Sequence, residues 1–323
     1  MSERIEPDQF AGRKVRVTGG AGFIGSHLVR RLVIYGADVI VIDDFSTGPR
    51  DHIKDVEQDL RLIESDLANI SRPLPKFSEV DVIFHLAAIP SVERSHNEPM
   101  ITHRANLTGT LRLLDIARRI DPETIVLTGS TIAGAAVTGE DRRDEEASCR
   151  SIYAASKGAM ELYMESYVQQ FDLPCLLLRL SHVFGPRQHR ENGYASVLSS
   201  LILQVLHGER PELAAEQREG HDYIFVEDVV EALLLAGRAE DHAGAVCDIC
   251  TGALTSDREL LEALEALSSS SIVDPEYVHR ENPYRERTNT DPGEALEVLG
   301  FEPRTAFDEA LARTFDWFKE RYA

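Results

Sequence analysis

The sequence predicts an α/β protein built on a doubly wound parallel sheet, with a smaller C-terminal α/β lobe that holds the substrate. Three observations predict this fold. Apolar strand-like runs alternate with stretches of helical periodicity, a glycine-rich turn follows the first run, and a chain of 323 residues exceeds one ordinary domain. Strands that alternate with helices form parallel sheets covered by helices on both faces.

The strand-like runs are short and rich in Val, Ile and Leu, and in chain order they read KVRVTGG, ADVIVIDD, DVIFHLAA, TIVLTGS and PCLLLRL. Helical spacing of apolar residues predicts the helices between them: His27–Tyr35, ANLTGTLRLLDIARRI and YAASKGAMELYMESYVQQF. After Leu180 this rhythm changes, until AVCDIC predicts one more strand for the main sheet. The predicted main domain therefore consists of residues 1–180, and the chain returns to it in residues 222–250. The predicted smaller lobe consists of residues 181–221 and 251–323.

Composition excludes several kinds of partner. With 34 Lys and Arg against 55 Asp and Glu, the formal charge of −21 would repel nucleic acid and anionic membrane surfaces. No apolar run is long enough to span a bilayer, and the polar start MSERIEPDQFAGRKV is unlike a signal peptide. Four cysteines are too few for a disulfide scaffold, so we expect a cytoplasmic protein.

The pair Cys247 and Cys250 has the spacing of half a zinc site. The two cysteines fall on an apparent buried strand, and no second ligand pair accompanies them. Packing in the core is the favoured interpretation, and we expect no metal.

The glycine-rich turn TGGAGFIG joins the first strand to the first helix. Gly19 permits a tight turn, Gly22 lets backbone N–H groups approach a pyrophosphate, and Gly25 allows close contact between helix and strand. Asp43 ends the next strand, where a carboxylate can accept both ribose hydroxyls and would repel a ribose 2′-phosphate. The main domain is therefore predicted to be a Rossmann domain that binds NAD rather than NADP. The alternative interpretation of the glycine segment is a turn with no role in cofactor binding.

The segment YAASK places Tyr153 and Lys157 four residues apart, on one face of a helix. An ammonium beside a phenol favours the phenolate, which can take a proton from a sugar hydroxyl. Upstream, Ser130 or Thr131 at the end of TIVLTGST can hydrogen-bond the reacting oxygen. The alternative interpretation of the pair is an ordinary surface contact between helical neighbours.

Taken together, these motifs resemble a known family. TGGAGFIGSHL, VIDDFSTG, HLAA, SVERSHNEP with ANLTGTLRLL, YAASK and HVFGPRQ look like the extended short-chain dehydrogenase/reductases, specifically the NAD-dependent sugar-nucleotide epimerase/dehydratase family. UDP-glucose 4-epimerase-like members are the nearest in appearance. The resemblance covers nearly the whole chain and implies a Rossmann fold, bound NAD and a nucleotide-sugar substrate, with a UDP-sugar favoured.

The resemblance also implies a role for individual residues. Along the cofactor it places Phe23 and Ile24 at the pyrophosphate, Asp43 at the adenosine ribose, Asp66 and Leu67 at the adenine, Ala87 in the cofactor channel and Asn106 on the nicotinamide side. Tyr153 and Lys157 match the catalytic pair, and Lys157 would also bind the nicotinamide ribose. Substrate contacts fall on four residues, His182, Arg187, His221 and Arg280, of which Arg280 matches the arginine that holds the diphosphate. A homodimer through ANLTGTLRLLDIARR and the YAASK helix is expected as well.

The sequence departs from the family pattern mainly where substrate binds. In the family, the strand that ends in the catalytic hydroxyl residue usually continues into Tyr-Gly, whereas this chain has STIAGAAV. Ser130 is the expected catalytic hydroxyl residue, and Thr131 is the alternative. His182 stands where the family has asparagine, and His221 where it has arginine. Each change introduces a ring that titrates near neutral pH. These departures leave open a substrate other than UDP-glucose.

Among the reactions of the family, epimerisation demands the fewest groups. A 4,6-dehydratase carries acidic residues directly after the catalytic hydroxyl, where this chain has Ile132 and Ala133, and the glutamate of the decarboxylases is missing too. We therefore expect an epimerase that inverts C4 through a transient 4-keto sugar, with hydride passing to and from bound NAD. The alternatives are a dehydratase, decarboxylase or ketoreductase and, in another class, a non-catalytic nucleotide-binding protein.

Overall fold

The computed structural model describes residues 5–70, 79–131, 151–188, 196–214, 220–239, 242–268, 274–278 and 290–323. Its strands are β1 (Lys14–Thr18), β2 (Asp38–Asp43), β3 (Arg61–Glu64), β4 (Val82–His85), β5 (Thr124–Ser130), β6 (Cys175–Leu180), β7 (His182–Phe184), β8 (Glu212–Ala214), β9 (Tyr223–Phe225), β10 (Val246–Ile249) and β11 (Glu276–Val278). Its α-helices are α1 (Phe23–Ile34), α2 (Val92–Asn97), α3 (Pro99–His103), α4 (Gly109–Ile120), α5 (Ile152–Phe171), α6 (Val197–His207), α7 (Val226–Ala236), α8 (Asp257–Leu267), α9 (Gly293–Leu299) and α10 (Phe307–Tyr322).

Seven strands form one parallel sheet in the order β10-β6-β5-β4-β1-β2-β3. The chain builds the sheet outward from β1 to β3, then crosses back and continues from β4 to β10 on the other side. Strand order thus reverses between β1 and β4. In open α/β sheets, ligands bind in the crevice outside the carboxyl ends of the strands at such a reversal.

Helices cover both faces of this sheet, as the predicted doubly wound fold requires. On one face, Leu28 and Val29 of α1 and Leu233 of α7 belong to a buried cluster that includes the strand residues Val17 and Val41. On the other, side chains of α4 and α5, including Leu113 and Met160, pack on a second set of strand residues. Because both faces are buried, the strands are almost continuously apolar. The predicted fold class is confirmed.

The smaller lobe has a core of its own. It consists of aromatic and aliphatic side chains from α6, α8 and α10, packed with β7 and β9. Strand β9 pairs in parallel with β7, and β8 pairs with β11, in two-stranded sheets separate from the large one. Within the segment 222–250, β10 joins the main sheet, whereas β9 pairs with β7. Ile224 of β9 packs in the cluster on the main sheet, and Tyr223 and Phe225 pack in the core of the smaller lobe.

Two helices begin earlier than the sequence pattern predicts. Helix α1 starts at Phe23 rather than His27, because extended Gly22 caps it directly after the glycine turn. The helical stretch around ANLTG starts at Pro99 and contains one π-helical segment, Arg104–Thr108, before α4. Within the described residues, no helix combines the length and the hydropathy needed to cross a membrane.

Candidate functional site

A cleft of about 550 Å³ runs along the carboxyl ends of the central strands, where the strand order reverses. One part, here called the glycine-turn half, is lined by Gly19, Gly22, Phe23, Ile24, Gly25, Asp43, Asp66 and Leu67. The other, the tyrosine half, is lined by Ser130, Thr131, Tyr153, Lys157, His182 and Tyr223. Ala87 lines the same cleft. Residues separated by more than 200 positions therefore share one continuous surface.

The glycine turn packs so tightly that side chains are excluded from it. Gly19 has φ of +71°, and a Cβ there would lie 2.6 Å from the backbone nitrogen of Ala87. A Cβ on Gly25 would lie 2.1 Å from the carbonyl oxygen of Gly19. Helix α1 begins immediately after this turn, and unpaired N–H groups at a helix start attract phosphate oxygens. The turn thus has the shape and polarity of a pyrophosphate cradle.

Asp43 is fixed beside this turn at the end of β2. Its Oδ2 accepts a hydrogen bond from the backbone N–H of Ala21 at 2.8 Å, and its Oδ1 accepts one from Phe45 at 2.9 Å. Burial raises the pKa of the carboxyl, while the two backbone donors act in the opposite direction. A carboxylate oxygen has room for more than one hydrogen bond, so Asp43 can still accept ribose hydroxyls in the cleft.

Asp66 and Leu67 lie at the outer end of the glycine-turn half. Asp66 caps a short 3₁₀ turn by accepting from the backbone N–H of Ala68 at 2.8 Å, and it forms an ion pair with Arg104 at 2.9 Å. Leu67 is buried and also lines the cleft. Leu67 offers an apolar surface for a base, and the Asp66 carboxylate beside it lines the same part of the cleft.

Asn106 is buried behind the cleft wall and is absent from its surface. Its Oδ1 accepts from the backbone N–H of Ile89 at 2.7 Å, while its Nδ2 donates to the carbonyl of Ile89 and to Oγ of Ser156. The amide therefore fastens the loop after β4 to α5. Any effect of Asn106 on a bound ring passes through that loop.

Tyr153 and Lys157 both line the cleft from the first turns of α5. The helix is capped by Ser151, and the backbone N–H of Tyr153 donates to Oγ of Ser95 on α2 at 3.1 Å, which fixes the start of the helix. Lys157 is buried, and its Nζ donates to the carbonyl of Thr128 at 2.9 Å. Burial lowers the pKa of Lys157 to about 8, while the charge of Glu161 acts to raise it.

Ser130 and Thr131 both reach the cleft at the end of β5, but their hydroxyls are in different situations. Thr131 donates to the carbonyl of Leu180 at 3.4 Å. The hydroxyl of Ser130 has no hydrogen-bond partner among the described residues. This difference favours Ser130 as the hydroxyl that meets a substrate oxygen.

Of the four residues that the sequence assigns to the substrate, the structure places one on the cleft surface. His182 lines the cleft, and its ring centroid lies 4.2 Å from that of His221, which is buried behind it. Arg187 is outside the cleft surface: its guanidinium lies in the field of Arg30 and Asp55, and burial lowers its pKa to about 10. Arg280 falls outside the described residues.

Several cleft residues were given no role from the sequence. They are Glu93 on α2, Gln188 after β7, Ser196 at the cap of α6 and Tyr223 on β9. Glu93 and Gln188 lie within the recognised motifs SVERSHNEP and HVFGPRQ, whereas Ser196 and Tyr223 had no signal. Each comes from a different segment, and only the pairing of β7 with β9 sets Tyr223 opposite His182. Outside the cleft surface, Glu161 also had a signal, since it continues the four-residue spacing of Tyr153 and Lys157.

His85 is a buried residue near the site that has a structural explanation. Its ring nitrogens hydrogen-bond the hydroxyls of Thr18 at 2.7 Å and Thr110 at 2.8 Å. Burial and the neighbouring Lys157 lower its pKa to about 3, so the ring is neutral. Among the residues with described positions, no group of three His, Cys, Asp or Glu side chains could hold a metal ion.

Comparison with known proteins identifies the family. The model of the NAD dependent epimerase/dehydratase family matches residues 15–250. The chain belongs to this family. It is 34% identical to UDP-glucose 4-epimerase from Mycolicibacterium smegmatis, over 94% of this chain and 98% of that protein. It is 27% identical to UDP-glucuronic acid decarboxylase 1 from Danio rerio, over 98% of this chain and 76% of that one.

A solved structure agrees with this assignment. UDP-glucose 4-epimerase from Thermotoga maritima, crystallised with UDP-glucose, superimposes with a TM-score of 0.85 at 29% identity, covering 95% of this chain and 99% of that one. Membership in an NAD-dependent enzyme family of nucleotide-sugar epimerases, dehydratases and decarboxylases is confirmed, and NAD is the cofactor. The residues present fit NAD, because the glycine turn offers a cradle that a Cβ would fill and Asp43 offers a ribose acceptor.

Proposed function

We propose that the chain is an epimerase that inverts C4 of a nucleotide-diphosphate sugar, with a UDP-sugar as the substrate class. The observation that supports this most is the continuity of the cleft. Tyr153, Lys157 and Ser130 line the same surface as the glycine turn and Asp43. A dinucleotide laid across the glycine-turn half would end beside the phenol, which is the arrangement that oxidation of a sugar hydroxyl requires.

On this proposal, the glycine-turn half holds the cofactor. The N-terminal amides of α1, between Gly22 and Ile24, would hold the pyrophosphate. Asp43 would accept the adenosine ribose hydroxyls, and Leu67 would pack on the adenine. When bound there, NAD would supply the hydride acceptor for oxidation of the sugar carbon and the hydride donor for its later reduction. The negative Asp43 disfavours a ribose 2′-phosphate, so NADP is rejected.

The tyrosine half handles the proton. Tyr153 takes the proton of the C4 hydroxyl and gives it back after the sugar has turned, while Ser130 donates a hydrogen bond to the same oxygen. Lys157 lies one helical turn further, and its ammonium favours the phenolate form of Tyr153. His182 and Tyr223 face the sugar or diphosphate from the smaller lobe.

Epimerisation is preferred over elimination because no acid follows the catalytic hydroxyl in the sequence, where Ile132 and Ala133 stand. One observation keeps a second candidate. Glu93 on α2 lines the cleft, and a carboxyl group there is the kind of acid that a dehydratase needs.

Product analysis separates these candidates. The protein is incubated with NAD and, in turn, the glucose, galactose, N-acetylglucosamine and glucuronic acid forms of the UDP-sugar, and products are identified by proton NMR. The proposal predicts a mixture of C4 epimers from at least one sugar. Loss of water would instead establish the second candidate, and loss of carbon dioxide from the glucuronic acid form would show a decarboxylase. A failure of every sugar to reduce NAD transiently would indicate a non-catalytic binding protein.

We further propose a homodimer in which α4 and α5 of each subunit form a four-helix bundle. Large apolar side chains are exposed along this surface, with Leu162 51% and Tyr163 42% accessible on α5 and Met100 74% accessible on the adjoining α3. Side chains of this kind are depleted on free surfaces and enriched at the centres of interfaces. Light scattering coupled to gel filtration should give twice the chain mass of 36.0 kDa.

We also propose that the protein works in the cytoplasm. Cys175, Cys247 and Cys250 are free thiols, which is usual for proteins of a reducing compartment. Fractionation of cells that express the tagged chain would test the location.

A further inference from the structure

Helix α5 carries a third ionisable group in line with its two cleft residues. Tyr153, Lys157 and Glu161 are spaced four residues apart, so they follow one another along a single face of the helix. All three side chains are buried, and the Glu161 carboxylate is about 1% exposed. Tyr153 and Lys157 line the cleft, whereas Glu161 lies one turn below it.

The Glu161 carboxylate is held by a two-pronged ion pair. Nε of Arg179 on β6 donates to Oε1 of Glu161 at 3.0 Å, and the NH2 group donates to Oε2 at 2.7 Å. Arg179 in turn lies 3.8 Å from Asp248 on β10. Two parallel hydrogen bonds fix the plane of a carboxylate as well as its position.

The backbone of β5 leaves space for this pair. Gly129 lies beside it, and a Cβ at that position would come within 2.8 Å of Leu177 and 3.4 Å of both Oε1 of Glu161 and Cγ of Arg179. Gly129 immediately follows Thr128, whose carbonyl accepts the hydrogen bond from Lys157. The carboxylate and the lysine ammonium are therefore organised around the same stretch of β5.

The charges around Lys157 explain why a buried carboxylate is useful there. The ammonium is enclosed, with neutral His85 on β4 and Tyr153 on its own helix as titratable neighbours, and burial lowers its pKa. Glu161 is the charged group whose field raises that pKa. Burial raises the pKa of Glu161 itself, while Arg179 on β6 acts to lower that pKa and Asp248 on β10 acts to raise it.

We propose that Glu161, paired with Arg179, is a positioning residue that keeps the Lys157 ammonium protonated in its buried site and influences the reaction only through Lys157. The inference rests on the role proposed above for Lys157. Burial of a carboxylate costs free energy and raises its pKa, and the two hydrogen bonds from Arg179 oppose that shift and stabilise the anionic form of Glu161. When the anion is removed, burial still lowers the pKa of Lys157 and no carboxylate opposes it. The lysine should then lose its proton at lower pH.

The first test is the pH dependence of kcat/KM in the holoenzyme. For Glu161→Gln, we expect the alkaline limb to move down by about 1 pH unit, with activity on the acid side within about twofold of the parent. The matched control is Glu165→Gln, one turn further along α5, whose carboxylate is only partly buried. That variant should leave the limb in place. A Glu161→Gln enzyme that loses activity equally at every pH would overturn the proposal, since this is what a merely structural role predicts.

The second test does not depend on which reaction the protein catalyses. The sequence contains only five lysines, so ¹³C-lysine NMR of the NAD-loaded protein can follow Lys157 directly, with Lys157→Met to assign its signal. In Glu161→Gln the Lys157 signal should titrate about 1 unit lower than in the parent. An unchanged titration would refute the inference even if epimerisation is observed, while a shifted titration would support it even if no tested sugar reacts.

A third variant covers the case in which Glu161→Gln fails to fold. Replacing both partners, Glu161→Leu with Arg179→Leu, removes the buried charges without leaving one unpaired, which proteins often tolerate. This double variant also lacks the anion, so its Lys157 should again titrate below the parent. A parent-like value in a folded double variant would contradict the proposal.

Discussion

The two halves of the cleft are built in different ways. In the glycine-turn half, the decisive contacts are made by backbone atoms or by side chains held by backbone atoms, as with Gly25 against Gly19 and Asp43 against Ala21. In the tyrosine half, side chains from α5, β5, β7 and β9 converge, and the residues come from both the main sheet and the smaller lobe. The first half depends on local chain geometry, the second on packing between distant segments.

This difference suggests a division of labour. A surface made of backbone amides and glycines can hold a group common to many enzymes, such as a pyrophosphate. A surface made of side chains on separate segments can change one residue at a time, and His182 and His221 lie there. We therefore expect substitutions in the glycine-turn half to alter NAD binding and substitutions in the tyrosine half to alter turnover or substrate choice.

The largest expected effect tests that separation. Tyr153→Phe removes the phenolic oxygen that accepts the substrate proton, so turnover should fall by about 10²–10⁴-fold. NAD affinity, measured by titration calorimetry, should stay close to that of the parent because the glycine turn and Asp43 are untouched. Unchanged turnover would show that Tyr153 is not the proton acceptor, and a large loss of NAD would mean that the two halves are not independent.

Gly25→Ala is the converse change in the glycine-turn half. The new Cβ would lie 2.1 Å from the carbonyl of Gly19, so the turn or the start of α1 must shift. Such overpacking costs about 2 kcal/mol, which corresponds to a loss of NAD affinity of roughly 30-fold. The matched control is Gly109→Ala, where the nearest atoms lie 3.8 Å from the new Cβ and NAD binding should not change. Equal effects of the two variants on NAD affinity would contradict the proposal that the glycine turn holds the pyrophosphate.

Asp43 separates NAD from NADP within the same half. Asp43→Ala removes the ribose acceptor and its charge, so NAD affinity should fall by about 10-fold while discrimination against NADP becomes weaker. Asp43→Asn keeps an oxygen for the N–H of Ala21 and separates loss of charge from loss of the turn contact. The measurement is the ratio of the two dissociation constants. If that ratio is unchanged in both variants, the ribose contact lies elsewhere.

The same contrast explains what the sequence could predict. The glycine turn, Asp43 and the Tyr153–Lys157 pair are each recognisable within one short segment, because the spacing of a turn or a helix fixes their geometry. Six of the seven strands of the sheet followed in the same way from alternating local patterns, and the family assignment followed from the motifs in combination. The edge strand β3 was not predicted, because its residues are only half-buried or exposed and form no apolar run.

Residues whose role depends on packing were not predictable in this way. Nothing near Tyr223 indicates that β9 will pair with β7 and bring it next to His182, since 41 positions separate them in the sequence. For Asn106, the sequence motif was recognisable but the contacts of the side chain were not. Only the structure shows that its amide is used by Ile89 and Ser156 behind the cleft wall.

The smallest expected effect concerns substrate choice. His182 lines the cleft, and its ring lies against that of buried His221, so His182 is the member of the pair that a substrate can touch. His182→Asn exchanges a ring for a neutral amide and should change KM by about 2- to 10-fold, the range for one hydrogen bond, with NAD affinity unchanged.

His221→Asn is the matched control for that prediction, because His221 is buried behind His182 and does not line the cleft. Direct recognition by His182 predicts that the two variants rank several sugar nucleotides differently, with the larger change in relative kcat/KM for His182→Asn. If both variants change the ranking alike, the paired rings act as one unit and His182 has no separate contact. If neither changes it, specificity lies in other residues of the tyrosine half, and Tyr223 is then the next side chain to vary, since it lines the cleft from the neighbouring strand.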